Sequence, residues 1–135
     1  MLNYENNYSE KTVLVTGGAG AIGSNLSIAL ARAGAAKVII LDDLSASYDW
    51  NIPNQSNVLF VKGSITSDID LKRVFRERPE YIFHLAAFFA NQNSVDYPEK
   101  DLLVSQLGTI KILEHAVLSG GIKRFVYAGS GCSIY

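Results

Sequence analysis

Between its first two apolar runs the chain carries Thr16-Gly17-Gly18-Ala19-Gly20-Ala21-Ile22-Gly23, with a carboxylate, Asp42, about 20 residues further on. Glycines at this spacing suit a polyanion held by main chain. Gly17 permits a tight turn, Gly20 lets the backbone come close to phosphates, and Gly23 lets a helix pack against a strand. A helix starting there offers unpaired N–H groups and a partial positive charge to a diphosphate. Asp42 is placed to bond a ribose diol and would repel a 2′-phosphate. No Arg follows it directly, so the pattern favours NAD over NADP. Taken singly, the glycines also suit a ligand-free turn, and Asp42 a solvated strand end.

This chemistry needs a strand before the glycines, a helix after them and a second strand ending at the acid. Lys11-Thr12-Val13-Leu14-Val15 reads as a buried parallel strand. Ile22, Leu26, Ala29, Leu30 and Ala33 recur at helical spacing and stop at Gly34. Lys37-Val38-Ile39-Ile40-Leu41 then delivers Asp42. Further strands are expected at Val58–Val61, Tyr81–Ala86 and Arg124–Ala128. Ser67, with Asp70 completing a capping box, opens a helix carrying Leu71, Val74 and Phe75, which Pro79 ends. Another helix is expected from about Glu99 to Ser119, with Leu103, Leu107, Ile110, Leu113 and Val117 on one side. Alternating strands and helices predict an α/β fold, a doubly wound parallel sheet of order 3-2-1-4-5. The ligand crevice then lies beyond the C-terminal ends of strands 1 and 4, where the winding reverses.

The 135 residues suffice for one domain, read as a loose tail over 1–10 and a folded unit over 11–135. A formal net charge of −1 gives no reason to expect nucleic acid as a partner. Lys72, Arg73, Arg76 and Arg78 cluster, but late in one helix, where they complement its dipole. No apolar run is long enough to span a bilayer, so no membrane partner is expected. The N-terminus is too polar to be a signal peptide. One cysteine, Cys132, fits a reducing cytoplasm. No metal is expected. His84, inside an apolar strand, reads as a core histidine with its hydrogen bond satisfied, and His115 as a surface or interface residue. Phe88 and Phe89 suit packing or covering a ligand, and Asn91 to Ser94 can meet substrate hydroxyls.

From Lys11 to Tyr135 the chain resembles the extended short-chain dehydrogenase/reductases, in particular their NAD-dependent nucleotide-sugar epimerase/dehydratase group. The resemblance rests on Val15-Thr16-Gly17-Gly18-Ala19-Gly20-Ala21-Ile22-Gly23, Leu41-Asp42-Asp43-Leu44-Ser45 and Phe83-His84-Leu85-Ala86-Ala87. Leu107-Gly108-Thr109, and Lys123-Arg124-Phe125-Val126-Tyr127 leading to Ser133-Ile134-Tyr135, extend it. It implies a Rossmann-type fold with NAD as cofactor and a nucleotide sugar as substrate of the full-length parent, a UDP-sugar 4-epimerase being preferred. It also implies roles. Ala21 and Ile22 present amides to the diphosphate, and Asp42, Asp43 and Leu44, with Ser45 after them, flank the adenosine ribose. Ser64 and Ile65 lie near the adenine, and Leu85, Ala86 and Ala87 form the floor. The loop after strand 5 sits beside nicotinamide and sugar.

The chain departs from the family at several points. Gly63-Ser64 stands where Gly-Asp is usual, so the base loses a charged acceptor. Ser105 stands where Asn is common. At the position of the usual sugar-binding Ser or Thr there is Gly131, with Ser130 and Ser133 as possible substitutes. The family's general base, the Tyr of a Tyr-x-x-x-Lys pair, has no counterpart among these residues. The chain therefore reads as the first half of an enzyme, without the later strands and the C-terminal substrate domain. Alternatives are a non-catalytic dinucleotide module and an NADPH-dependent carbonyl reductase, the latter disfavoured by Asp42. A free edge at strand 5 and apolar surface on the preceding helix lead to an expectation of self-association.

Overall fold

The computed structural model describes residues 7–129. Five parallel strands form one sheet in the order β3-β2-β1-β4-β5. They are β1 (Thr12–Thr16), β2 (Lys37–Asp42), β3 (Val58–Lys62), β4 (Tyr81–His84) and β5 (Arg124–Tyr127). The expected order is found, and the bounds agree to within two residues.

The central strands are apolar on both faces, as a sheet covered on two sides requires. Alternate residues divide between two cores. Leu14, Ile39, Leu41 and Ile82 join Leu71, Val74 and Phe75 of α2 (Asp68–Phe75) and Ile112 and Ala116 of α5 (Gly108–Ser119). Val13, Val15, Val38 and Ile40 meet Leu30 and Ala31 of α1 (Ala21–Arg32) on the opposite face. The glycine turn between β1 and α1 thus lies at the point where the sheet winding reverses. Tyr8, within the stretch expected to be a loose tail, stacks edge-on against Tyr81 and Phe83 at 5.2 and 5.8 Å. Its neighbour Glu10 donates N–H to Gly34 O.

Three local features differ from the sequence reading. The Glu99–Ser119 helix is composite. Two short helices, α3 (Asn91–Asp96) and α4 (Pro98–Asp101), lead into a wide π-type turn, Leu102–Leu107, and then α5. That turn shifts the helical register. Gly108, Ile112 and Ala116 face the sheet, while Ile110, Leu113 and Val117 stay exposed. Second, Asn91–Ser94 belong to α3, where Asn93 Nδ2 donates to Phe89 O at 2.6 Å. Third, Ser67 caps α2 by accepting from Asp70 N, but the Asp70 carboxylate accepts from Ser64 N at 3.0 Å and does not close a box on Ser67. That bond fixes the turn after β3.

Candidate functional site

A cleft of about 410 Å³ opens at the C-terminal ends of the strands. Gly17, Gly20, Ala21, Ile22 and Gly23 line it, as do Asp42, Asp43, Ser45, Ser64, Ile65, Leu85, Ala86 and Ala87. Thirteen of the residues singled out from sequence are therefore brought to one place. Leu44 and Ser105 do not line it. Leu44, at φ 62°, turns the chain and donates its N–H to Asp42 Oδ1 at 2.9 Å. Ser105 accepts from Phe88 N at 3.1 Å and donates to Asp101 Oδ1 at 2.7 Å, tying the β4 loop to the π-type turn. Ser130 and Ser133 lie outside the described residues.

Packing explains the glycines. Gly17 has φ 68°, and a Cβ there would stand 2.9 Å from Ala86 N. At Gly23 a Cβ would overlap Gly17 O and come within 2.7 Å of Gly18 Cα, so helix and turn touch only because no side chain intervenes. Gly20 is different. A Cβ there would meet only Gly17 O, at 3.3 Å. Protein packing leaves room for a side chain at Gly20, and the space that Gly20 leaves open belongs to the cleft.

Gly20 is also the N-cap of α1, with no side-chain cap and no acidic residue in the first turn. Ser24 N donates back to Gly20 O, while Ala21, Ile22 and Gly23 precede any intrahelical acceptor. Their amides face an opening that suits an anion. The Asp42 carboxylate is buried and accepts from Ala19 N at 2.9 Å, Leu44 N at 2.9 Å and Ser47 Oγ at 2.7 Å. A carboxylate offers about four acceptor positions, so these bonds orient it and leave one for a ligand hydroxyl. The donor set thus fits a diphosphate at the glycine turn and a ribose beside Asp42. Ser64 carries no charge, and its Oγ lies 2.8 Å from Thr66 Oγ1 and accepts from Thr66 N.

Beneath the cleft, His84 is 1% exposed and bridges two hydroxyls, as expected for a satisfied core histidine. Thr109 Oγ1 donates to Ser105 O at 2.7 Å, so it accepts from His84 Nε2 at 2.9 Å. The ring proton is then on Nε2, and Nδ1 accepts from the Thr16 hydroxyl at 2.6 Å. Thr16 Oγ1 accepts in turn from Ala86 N at 3.3 Å. Burial lowers the His84 pKa to about 4, so the ring stays neutral and the chain of bonds keeps one direction. This chain holds the Ala86 floor to β1 and α5.

Leu41, Ala46, Ser47, Gly63, Phe89, Val104 and Ala128 also line the cleft. Of these, Phe89 carries an expectation from sequence, packing on or covering a ligand, and the other six do not. Ala46 and Ser47 belong to the polar segment after β2, whose path a sequence does not give. Among the described residues no group of three or more His, Cys, Asp or Glu is placed to hold a metal ion. None of the described helices is long and apolar enough to cross a membrane.

A doubly wound parallel sheet with bare helix amides at the reversal point and an acid at the end of β2 defines a Rossmann-type dinucleotide-binding domain. Residues 13–135 match the family model described as "NAD dependent epimerase/dehydratase family", and the chain belongs to that family. NAD is the family's cofactor. A UDP-glucose 4-epimerase of Mycolicibacterium smegmatis is 42% identical over 126 residues, covering 90% of this chain and 39% of that protein. The solved structure of the epimerase Mth375 from Methanothermobacter thermautotrophicus shares 64% identity with a TM-score of 0.93, covering 97% of this chain and 38% of that one. The Bordetella bronchiseptica enzyme WbmF, solved with NAD+, shares 34% identity with a TM-score of 0.87, covering 92% of this chain and 37% of that one. The chain spans under two fifths of the length of each of these relatives.

Proposed function

We propose that residues 11–135 bind NAD across the C-terminal ends of the strands and form the cofactor-binding part of a nucleotide-sugar epimerase or dehydratase. UDP-sugar 4-epimerisation is the preferred reaction. The observation that carries this reading is the uncapped start of α1, open to the cleft at Gly20 and facing an oriented Asp42 carboxylate. The names of relatives described as UDP-glucose 4-epimerases support the sugar nucleotide.

In this reading Ala21 and Ile22 hold the diphosphate through main-chain amides, while Gly20 leaves the approach open and Gly23 lets the helix pack against the turn. Asp42 takes a ribose hydroxyl, with Asp43 and Ser45 beside it and Leu44 keeping the carboxylate in place. Ser64 and Ile65 border the adenine. Leu85, Ala86 and Ala87 form the floor under the cofactor, and Ser105 fastens the loop that follows them. Ser130 or Ser133 contacts a sugar hydroxyl. Bound NAD supplies a reversible hydride acceptor. The chain's own contribution is binding, orientation and exclusion of water.

Calorimetry with NAD on the 135-residue chain tests the reading: saturable heat of binding supports it, and no heat of NAD binding to folded protein sinks it.

A further inference from the structure

The loop after β2 exposes two aromatic rings that the proposed site does not use. Tyr48 and Trp50 stack with centroids 4.3 Å apart and planes 9° apart, yet remain 58% and 74% exposed. Exposed large aromatics of this kind commonly mark binding surfaces.

Both ends of the segment are pinned to the cleft. On one side Ser47 Oγ donates to Asp42 Oδ1 at 2.7 Å, and Ser45, Ala46 and Ser47 line the cleft wall. On the other, Asn51 Nδ2 donates to Ala19 O in the glycine turn at 3.1 Å. Between them Asp49–Asn51 form a 3-10 turn, closed by Asn51 N to Tyr48 O and Ile52 N to Asp49 O. The two rings therefore ride on an arch held at both feet. Its feet are the carboxylate assigned to the ribose and the turn assigned to the diphosphate.

We propose that Tyr48 and Trp50 form an aromatic rim that covers the adenosine half of the bound dinucleotide. This rests on the NAD-binding reading above. Base selection supplies a second argument. Ser64 places no charge near the base, and its hydroxyl is engaged by Thr66. Stacking on an aromatic face holds a purine without any such acceptor. Trp50, backed by Tyr48, is the ring that contacts the ligand.

Trp50 is the single tryptophan of the chain, so its emission reports on the rim alone. ADP-ribose and NAD are expected to change Trp50 fluorescence saturably, and nicotinamide mononucleotide is expected not to. Trp50→Ala should weaken ADP-ribose binding about tenfold, within the range found for losing one base–aromatic stack. Trp50→Phe, which keeps a ring, should retain most of the affinity. If Trp50→Ala does not fold, the wild-type titration and Trp50→Phe still decide the matter. ADP-ribose binding seen by calorimetry with no change in emission overturns the rim and leaves the NAD reading standing. Wild-type affinity in folded Trp50→Ala does the same. An emission change that follows protein concentration without ligand identifies a second copy as the occupant and also overturns it. Folded wild type that binds neither NAD nor ADP-ribose fails the underlying reading first.

Discussion

Alanine in place of Gly20 adds a methyl group that meets only Gly17 O, at 3.3 Å, with the cleft beyond. The backbone there, φ −72° and ψ 173°, is open to any residue. Two small stability effects oppose each other. Lower entropy of the unfolded chain contributes about 0.4–1 kcal/mol, and the N-cap preference for glycine over alanine is of similar size. The thermal midpoint should therefore stay within a few degrees of wild type. Binding should respond differently, because the methyl occupies the approach of the diphosphate to the amides of α1. A hydrogen bond to a charged group is worth about 1.5–3 kcal/mol. Loss of one such bond raises the NAD Kd roughly 10- to 150-fold. Gly23→Ala is the contrast. Its Cβ would overlap Gly17 O and press on Gly18 Cα, so the helix start must move, at about 1–3 kcal/mol of stability, and affinity falls with it. Paired thermal melts and calorimetry read both quantities. An unchanged Kd in folded Gly20→Ala would refute the assignment of the diphosphate to this turn.

Asp42→Ala should lower NAD affinity and erase the preference for NADH over NADPH, measured by competitive titration; a preference that survives would remove Asp42 from cofactor selection. His84 is lowered from 6.5 to about 4 in the folded chain, so below pH 6.5 the unfolded state takes up the extra proton. Stability should then fall as pH drops from 6.5 towards 4, by roughly 3 kcal/mol at full effect. Urea titrations across that range should show the slope in wild type and a flatter one in His84→Gln; equal slopes would contradict a neutral buried ring. Glu80 is lowered chiefly by its bond to Lys123, and Lys123 is raised by Glu80, so this pair supports the fold above the ordinary Glu pKa and below the ordinary Lys pKa. Ile110, Leu113 and Val117 on α5, with Tyr127 on the edge strand β5, expose apolar surface. Concentration-dependent self-association of the 135-residue chain is expected in light scattering, and a clean monomer at high concentration would count against it.

The strands were legible because β1 and β2 are apolar on both faces, which leaves a continuous signal that only a covered sheet produces. The existence of α1, α2 and α5 was equally plain, but the facing of α5 was not. Leu103, Leu107, Ile110, Leu113 and Val117 fall on one side by spacing, and the structure leaves that side exposed. The residues that meet the sheet include Gly108, which a hydrophobic pattern passes over. A Cβ at Gly108 would stand 2.6 Å from Ile65 Cδ1, so the glycine is what lets α5 approach the cleft wall. The short α3 was missed because Asn91–Asp96 is mostly polar, with nothing periodic to read.

The site divides along the same physical line. The half proposed to hold the diphosphate is made of main-chain amides, and main chain can approach a ligand closely only where side chains are missing. Such a half announces itself in sequence as glycines at fixed spacing, which is why residues 17–23 stand out in the sequence. Its rim is made of side-chain contacts that the loops bring together. Ser47 to Asp42, Asn51 to Ala19 and Ser105 to Phe88 depend on the path of loops, not on local spacing. Asp70 shows the difference within one residue. The capping pattern placed it correctly at the start of α2, yet its carboxylate goes to Ser64 N because the turn after β3 brings that amide within 3.0 Å. Local rules fixed where Asp70 sits, and the tertiary path decided what it holds.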